Sequence, residues 1–243
     1  MAAPTVLTNA TIWLGGYDLT ASTNEVTFNA ARQEKPVSRF GDTIEATYPG
    51  AQTVDAEVKG FWDSTLDGPQ FTQLTNPTAS WPLSVGVGGT SGDVVYFLRT
   101  YSTNYSSMEA SWGQSLPYRL TTKAATGERL GRGIVALPKA TYTGTSAGTL
   151  FQLGATSATQ KAVAFVHVFA INGGSWNVTL TSDADGALGG GTSRVFQTGI
   201  TTAPYSTVLI DVGPVTDTYW YAQVTKVSGT SITLAVTLAI VDV

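Results

Sequence analysis

The chain has 243 residues, of which 42% are hydrophobic and 12% are charged, about half the usual charged share of roughly 25%. This composition excludes wholesale disorder. Its 38 Thr, 19 Ser and 26 Gly residues favour strands and turns over a helical bundle, a coiled coil or a Rossmann-type enzyme. The net charge of −4 argues against nucleic-acid binding through a basic surface, and the absence of cysteine excludes disulfides and thiolate chemistry.

Alternation of apolar and polar residues predicts strands along the first half of the chain. The clearest is Thr53–Gly60, where Val54, Ala56 and Val58 share one face. A short helix is predicted near residues 64–75, and Asn76-Pro77 would end it. The other strands predicted in this half are Val6–Leu14, Glu25–Ala30, Thr43–Tyr48, Asp93–Tyr101, Ser106–Trp112 and Tyr118–Lys123.

A change of composition after Gly133 predicts a domain boundary near residue 137, with consecutive domains 1–137 and 138–243. In the second half, Ala162–Ile171 is apolar on both faces, which predicts a central strand. Strands spaced by roughly a dozen residues are typical of a sandwich or jelly roll. The others predicted here are Trp176–Thr181, Arg194–Thr198, Ser206–Val212, Thr218–Val227 and Ser231–Val241. We therefore expect an all-β protein with one short helix.

Candidate catalytic residues are few. His167 is the one histidine of the sequence and lies in an apolar strand, so we expect a packed histidine bonded to a neighbour rather than a catalytic base. Asp55 and Glu57 share a strand face with Lys59, which indicates a solvated surface rather than a carboxylate pair for glycoside hydrolysis. We expect no catalytic residue, no metal and no cofactor, and therefore no enzyme.

Two glycine-rich stretches predict turns. A strand rather than a helix follows Gly86–Gly92, so a hairpin turn is favoured over a dinucleotide-binding loop. Gly186–Gly191 follows Asp183 and Asp185, and the pattern Asp-x-Asp-Gly resembles part of a calcium loop. The glutamate that completes an EF-hand loop is missing, so a polar hairpin turn is favoured and a surface calcium site is the alternative.

The densest aromatic cluster is Tyr219-Trp220-Tyr221. Such a cluster on a strand is a candidate platform for surface glycans, although a core tryptophan with flanking tyrosines is the commoner arrangement. The N-terminus lacks the basic and apolar regions of a signal peptide, and Ala162–Ile171 is too short to span a bilayer. We therefore expect synthesis in the cytoplasm and no membrane association.

A series of short motifs, in order and at characteristic spacing over residues 5–137, resembles the major tail (tail tube) proteins of long-tailed bacteriophages. The resemblance is strongest around Ser38–Thr43, which matches a "TTFGDT" segment of that family, and continues through the strand Val54–Val58. Further matches are Asp18–Thr20, Val26–Phe28, Pro49-Gly50, Gly60–Asp63, Gly92-Asp93, Tyr101–Thr103 and Gly127–Gly133.

This resemblance implies a tail-tube-like β-sandwich or barrel that assembles into stacked hexameric rings. DNA would pass through the tube without specific binding, and the other partners would be tape-measure and tail-end proteins. The second half would be an extra β domain on the outside, and the location would be the virion tail, assembled in the host cytoplasm. The alternatives are a capsid decoration or head-fibre protein and a carbohydrate-binding module.

Charge supports a DNA channel, because residues 1–125 carry 7 basic and 11 acidic side chains, whereas residues 126–243 carry 6 of each. A weakly acidic lumen repels phosphates and lets a duplex slide. Within the resemblance, Asn29–Asp42 is expected to be a long loop that contacts the adjacent subunit or ring. The contact residues expected there are Arg32, Glu34, Lys35, Arg39 and Phe40.

Overall fold

The structure is a computed structural model, and it describes residues 10–36, 47–62, 80–107, 115–125 and 128–242. Every regular element in these ranges is a strand, which confirms the predicted all-β class. The helix predicted near 64–75 lies outside the described residues. The strands are β1 Thr11–Leu14, β2 Tyr17–Asp18, β3 Thr23–Pro36, β4 Thr47–Phe61, β5 Trp81–Gly86, β6 Val94–Ser107, β7 Pro117–Ala124, β8 Gly131–Tyr142, β9 Ser146–Ala147, β10 Phe151–Gln152, β11 Gln160–Asn172, β12 Trp176–Asp183, β13 Thr192–Ile200, β14 Tyr205–Val212, β15 Tyr219–Lys226 and β16 Ser231–Asp242.

The chain divides into two compact units, each built from segments that are separate in sequence. The double-sheet unit comprises the described residues of Met1–Ala21, Trp81–Phe97 and Gly131–Val243, and the hairpin unit those of Ser22–Ser80 and Leu98–Leu130. These limits differ from the consecutive ranges 1–137 and 138–243, which stay a prediction from the sequence.

The larger sheet of the double-sheet unit has the strand order β14-β11-β16-β8-β6-β5-β1-β2. It curls, because β5 contacts both β14 and β11, and β2 contacts β11. The smaller sheet has the order β10-β15-β12-β13, with β9 also paired to β15. The strand pairings within the described residues of this unit are antiparallel.

The core between the two sheets is apolar and fully buried. From the smaller sheet it takes Trp176, Val178, Leu180 and Trp220, and from the larger sheet the even-numbered positions of β11 and β16. These positions are Ala162, Ala164, Val166, Val168, Ile232, Leu234, Val236 and Leu238. Burial of side chains of this size contributes about 1.5–3 kcal/mol for each Val or Leu, so this layer dominates the unit's stability.

Strand β11 is buried on both faces, as the sequence predicted. It pairs with β14 on one side and β16 on the other, and both neighbours run antiparallel to it. Its odd-numbered residues Val163 and Phe165 pack in a second cluster with Trp13, Phe97 and further side chains inside the curled sheet. Both faces are buried from Ala162 to Val168, whereas Ala170 and Asn172 near the end of the strand are exposed, so burial explains the first part of the apolar run.

The hairpin unit is a four-stranded antiparallel sheet in the order β3-β4-β7-β6, to which β6 contributes its C-terminal part. The alternation predicted for Thr53–Gly60 is confirmed, because Val54, Ala56 and Val58 are buried whereas Asp55 and Glu57 are not. Leu120 of β7 faces Val58 across the ladder and is also buried.

Two turn predictions are confirmed. Gly86–Gly92 joins β5 to β6, and Asp93 closes the turn by accepting hydrogen bonds from the Thr90 amide and hydroxyl at 2.8 and 2.6 Å. The segment Asp183–Gly191 joins the paired strands β12 and β13. The part of the chain that the structure describes contains no helix able to cross a membrane.

A matched pair of valine substitutions tests the location of the core. Val166 in β11 is fully buried, whereas Val212 in the neighbouring strand β14 is 62% exposed. We expect Val166→Ala to lower the free energy of unfolding by about 2–3 kcal/mol, because two methyl groups leave a cavity. Val212→Ala should change it by less than about 0.5 kcal/mol. Urea unfolding measures both, and equal effects would contradict this packing.

Candidate functional site

The exposed edge of the hairpin unit is a candidate assembly surface. Among the strands that the structure describes, β3 pairs with β4 alone, so it forms the edge of its sheet over 14 residues. None of its described side chains is buried, and Asn29, Ala30 and Ala31 are exposed. A long strand at a sheet edge offers backbone groups to another chain, which makes it suited to pairing between subunits.

The prediction of a loop over Asn29–Asp42 is wrong for Asn29–Pro36. Asn29–Pro36 continues β3, because these residues pair with β4, including Arg32 with Gln52 and Glu34 with Pro49, with a shift of register between these two pairs. Residues 37–42 lie outside the described residues. The expectation failed because Arg, Gln, Glu and Lys are common in loops, whereas an exposed edge strand can hold them equally well.

The structure places three of the five expected contact residues on β3. Arg32 and Glu34 are exposed near the end of the strand, and Lys35 follows in the ladder opposite Tyr48. Arg39 and Phe40 lie outside the described residues. The contact role of all five residues stays a prediction.

The structure explains why position 60, the first of the motif Gly60–Asp63, is a glycine. A Cβ atom at this position would lie 1.9 Å from the Ser22 carbonyl oxygen, which is closer than real contacts allow. The same carbonyl accepts a hydrogen bond from the Phe61 amide at 2.7 Å. Only glycine therefore lets β4 approach the start of β3 at this end of the hairpin.

The solvent-facing side of this sheet carries a mixed charge network. Lys59 Nζ lies 2.8 Å from Glu25 Oε1 and 3.8 Å from Glu57 Oε1, and Arg119 also pairs with Glu57. The hydrogen bond from Lys59 to Glu25 raises the pKa of Lys59. Because these groups are largely exposed, solvent screens the pairs and each contributes little to stability. Their arrangement is that of a solvated face, and it offers no pair of carboxylates free of cationic partners.

His167 is bound on both ring nitrogens inside the double-sheet unit. Its Nδ1 donates to the Gly15 carbonyl oxygen at 2.6 Å, and its Nε2 accepts from the Ser84 hydroxyl at 2.8 Å. A carbonyl can only accept, so the proton must sit on Nδ1 in the neutral ring. His167 and Ser84 are both fully buried. The predicted packed histidine is confirmed, and a buried pair without a carboxylate on Nδ1 is unsuited to nucleophilic catalysis.

Burial lowers the pKa of His167 to about 4, although the Gly15 carbonyl and the charge of Asp18 oppose the shift. The cause is desolvation, because the protein interior has few polar groups that could solvate the charged imidazolium ion. Asp18 itself forms an ion pair with Lys139 at 2.5 Å. Its pKa is pushed up by burial, but hydrogen bonds from Lys139 and Thr20 lower it overall.

Acid should therefore destabilise the double-sheet unit through His167. Between pH 6.5 and about 4, His167 is protonated in the unfolded chain but stays neutral in the folded chain. Its contribution to the free energy of unfolding is therefore complete above pH 6.5 and decreases as the pH falls below that value. The pKa difference corresponds to roughly 3 kcal/mol. Urea unfolding from pH 7 to 4 measures this loss, and His167→Gln should show a smaller slope because only carboxylates remain to titrate. Equal slopes would contradict a neutral buried imidazole.

The turn Asp183–Gly191 holds a buried carboxylate. Asp183 is 3% exposed, and its Oδ1 accepts a hydrogen bond from the Asp185 amide at 3.0 Å. Its Oδ2 is buried without a hydrogen-bond partner, as is Thr181 Oγ1 two residues before it. Asp185 Oδ1 accepts from the Ala187 amide at 3.0 Å. Among the described residues, no group of three or more His, Asp or Glu side chains is placed to hold a metal.

A neighbouring network involves Ser182, which points to the opposite face of β12 from Asp183. The Ser182 hydroxyl donates to Asp217 Oδ2 at 2.6 Å and accepts from Arg194 Nε at 2.6 Å. Arg194 also forms an ion pair with Asp217 at 2.7 Å. The hydrogen bond from Ser182 and that from Arg194 lower the pKa of Asp217. The charge of Arg194 is thus matched by Asp217.

The candidate glycan platform is wrong for two of its three residues. Trp220 is fully buried, and its indole nitrogen donates to the Gly154 carbonyl at 2.8 Å. Tyr221 is 6% exposed, so neither ring offers a face to a sugar. The half-buried Tyr219 ring lies against Gly186, where a Cβ would meet its Cζ at 3.0 Å. Burial follows from the position of β15 inside the smaller sheet, a tertiary fact that the aromatic run does not reveal.

Comparisons with known proteins give weak structural similarity. No protein-family model matches the chain, and no curated protein matches it significantly. The chain is similar to a chain of the extended sheath–tube complex of the PVC extracellular contractile injection system, with 11% identity, a TM-score of 0.43, and coverage of 54% of this chain and 93% of that chain. It is similar to the Dit protein (gp 19.1) of phage SPP1, with 12% identity, a TM-score of 0.33, and coverage of 96% and 99%.

A third similarity is to a chain of the phage p2 baseplate in its activated conformation, with 7% identity, a TM-score of 0.34, and coverage of 96% of this chain and 98% of that chain. All three TM-scores lie below 0.5. We therefore base the proposed function on the residues of this chain.

Proposed function

We propose that this chain is a structural subunit of a bacteriophage tail, a major tail protein that self-assembles into stacked hexameric rings forming a tube for DNA. The sequence motifs in residues 5–137 support the proposal through their order and spacing. Two of them fall on features with a definite structural role: Val54–Val58 is the alternating part of β4, and Gly60 lets that strand pass the Ser22 carbonyl.

The observation that carries the proposal is the edge strand β3. It lies in the part of the chain that resembles tail tube proteins, it is 14 residues long, and its described side chains are exposed or half-buried. A monomer with such an edge risks uncontrolled aggregation, whereas a ring covers the edge by pairing it with the next subunit. A head-to-tail contact of this kind closes into a ring when the rotation per subunit fits.

Stacking of rings needs a second contact, for which we propose the end of β3 and the residues that follow. Arg32 and Glu34 are exposed there, and Lys35, Arg39 and Phe40 continue the same stretch of sequence. Charged residues at a contact surface govern specificity and orientation more than raw affinity, which suits an interface that must select one stacking direction.

The charge distribution suits a tube that does not bind the DNA passing through it. All of the net charge of −4 belongs to residues 1–125, and the solvent-facing side of the hairpin unit balances Lys59 and Arg119 against Glu25 and Glu57. Without a surplus of cations, little counterion release is available to drive DNA binding. DNA would therefore pass through without specific contacts.

The remaining parts of the proposal follow from this role. The partners are other copies of the chain, together with tape-measure and tail-end proteins, and the location is the virion tail after assembly in the host cytoplasm. The segment 138–243 would form the outward-facing part. A tube subunit of this kind needs no cofactor and no catalytic step.

Electron microscopy tests the assembly directly. We expect the purified chain to form rings or hollow tubes in negative stain, with light scattering that rises with protein concentration, because each added subunit covers a sheet edge. A chain that stays monomeric at high concentration, and also fails to add to a preformed tube end, would contradict the proposal.

A charge reversal at the end of β3 tests the contact surface. Arg32→Glu should raise the protein concentration needed for tubes by about tenfold or more, since a misplaced like charge at an interface costs several kcal/mol. Arg132→Glu is the matched control, because Arg132 is also an exposed arginine on a strand. Both variants should melt as the parent does. If the two variants assemble equally well, Arg32 does not take part in the contact. Ring formation itself is tested separately by electron microscopy.

A further inference from the structure

The buried carboxylate in the turn Asp183–Gly191 has an unmatched oxygen. Asp183 is 97% buried, and Oδ2 has no hydrogen-bond partner although Oδ1 is bound by the Asp185 amide. Removing a carboxylate oxygen from water without a partner costs several kcal/mol, so native proteins pair such atoms with a donor or a cation. Within the described residues, no lysine, arginine or histidine forms an ion pair with Asp183.

A second carboxylate lies beside the first. The side chain of Asp185 contacts that of Asp183; the hydrogen bond from the Ala187 amide and this contact lower the pKa of Asp185, which is itself exposed. Two carboxylates in contact repel each other when both are ionised, and a cation between them removes the repulsion. Arg194 is the nearest cation in sequence, but it is engaged with Asp217 and Ser182 on the opposite face of β12.

The glycines of the turn bring backbone close to the unmatched oxygen. A Cβ at Gly190 would lie 3.8 Å from Asp183 Oδ2, so the turn folds back over this carboxylate. Thr181 Oγ1, on the same face of β12 as Asp183, is buried beside the turn and also lacks a partner. A Cβ at Gly191 would lie 2.8 Å from Thr181 Cγ2, so the turn packs against the methyl group of Thr181.

We propose that the turn Asp183–Gly191 binds a calcium ion, with the carboxylates of Asp183 and Asp185 as its charged ligands. Backbone carbonyl oxygens of the turn and water complete the set. Ca²⁺ accepts six to eight oxygen ligands in flexible geometry, whereas Mg²⁺ requires a near-ideal octahedron. The ligands are all oxygen, which disfavours zinc and copper.

Two carboxylates give a weak site, with a dissociation constant on the order of 10⁻⁴–10⁻³ M. At 10 mM CaCl₂ the melting temperature of the full chain should therefore rise by about 3–6 °C, and an equal ionic strength of MgCl₂ should give much less. Tb³⁺, a luminescent substitute for Ca²⁺, offers a direct readout, because Tyr219 and Tyr221 lie against Gly186 and Gly191 and can transfer excitation to it.

Substitutions locate the site. Asp183→Asn and Asp185→Asn should each abolish the calcium-dependent rise in melting temperature and the tyrosine-sensitised Tb³⁺ emission. Asp185 is exposed, so its variant keeps the test valid if Asp183→Asn fails to fold. Asp93→Asn is the control, because Asp93 closes the other glycine-rich turn through Thr90 and should leave the calcium response intact.

Equal responses to CaCl₂ and MgCl₂, or no Tb³⁺ emission from the full chain, would overturn the proposal. So would a calcium response that survives in Asp185→Asn. None of these measurements depends on ring or tube formation, so a failure here leaves the proposed tail function untouched.

Discussion

Burial of both faces of β11 and β16 is the constraint on which the double-sheet unit depends. Their even-numbered residues, such as Val166 and Leu234, form the core against the smaller sheet, and odd-numbered residues such as Phe165 and Ala235 fill the inside of the curled sheet. A slip of one residue in register would exchange the two faces. Because both faces are packed with side chains of different size, the pairing of β11 with β14 and β16 has one favourable register.

Polar groups inside this unit are tolerated where their partners are fixed. His167 is held by Gly15 and Ser84, which are far from it in sequence, and the two hydrogen bonds decide its tautomer. Such a network stabilises one arrangement of β1, β5 and β11 because any other leaves a buried polar atom unpaired. Asp183 is the contrasting case, since one of its oxygens is buried without a partner. His167, with both ring nitrogens hydrogen-bonded, therefore has a structural role, whereas Asp183, with one unpaired oxygen, is a candidate ligand for a cation.

The two proposals rest on different physical needs. The edge of β3 offers backbone hydrogen-bonding groups that a neighbouring subunit can pair, and its exposed side chains leave room for that neighbour. The turn Asp183–Gly191 offers a buried carboxylate with one oxygen that lacks a hydrogen-bond partner. The first concerns assembly of many copies and the second the local stability of one copy, so each can be tested in the absence of the other.

The sequence by itself determined the all-β class, the alternating strand Thr53–Gly60, the central strand Ala162–Ile171 and the two hairpin turns, because these depend on a two-residue period and on glycine. Tertiary structure alone decided the partners of His167, the burial of Trp220 and the unpaired oxygen of Asp183. Each of these depends on which strands become neighbours across long stretches of chain. The strand Asn29–Pro36 belongs to the same group, since its polar residues fit a loop and an edge strand equally well until β4 pairs with it.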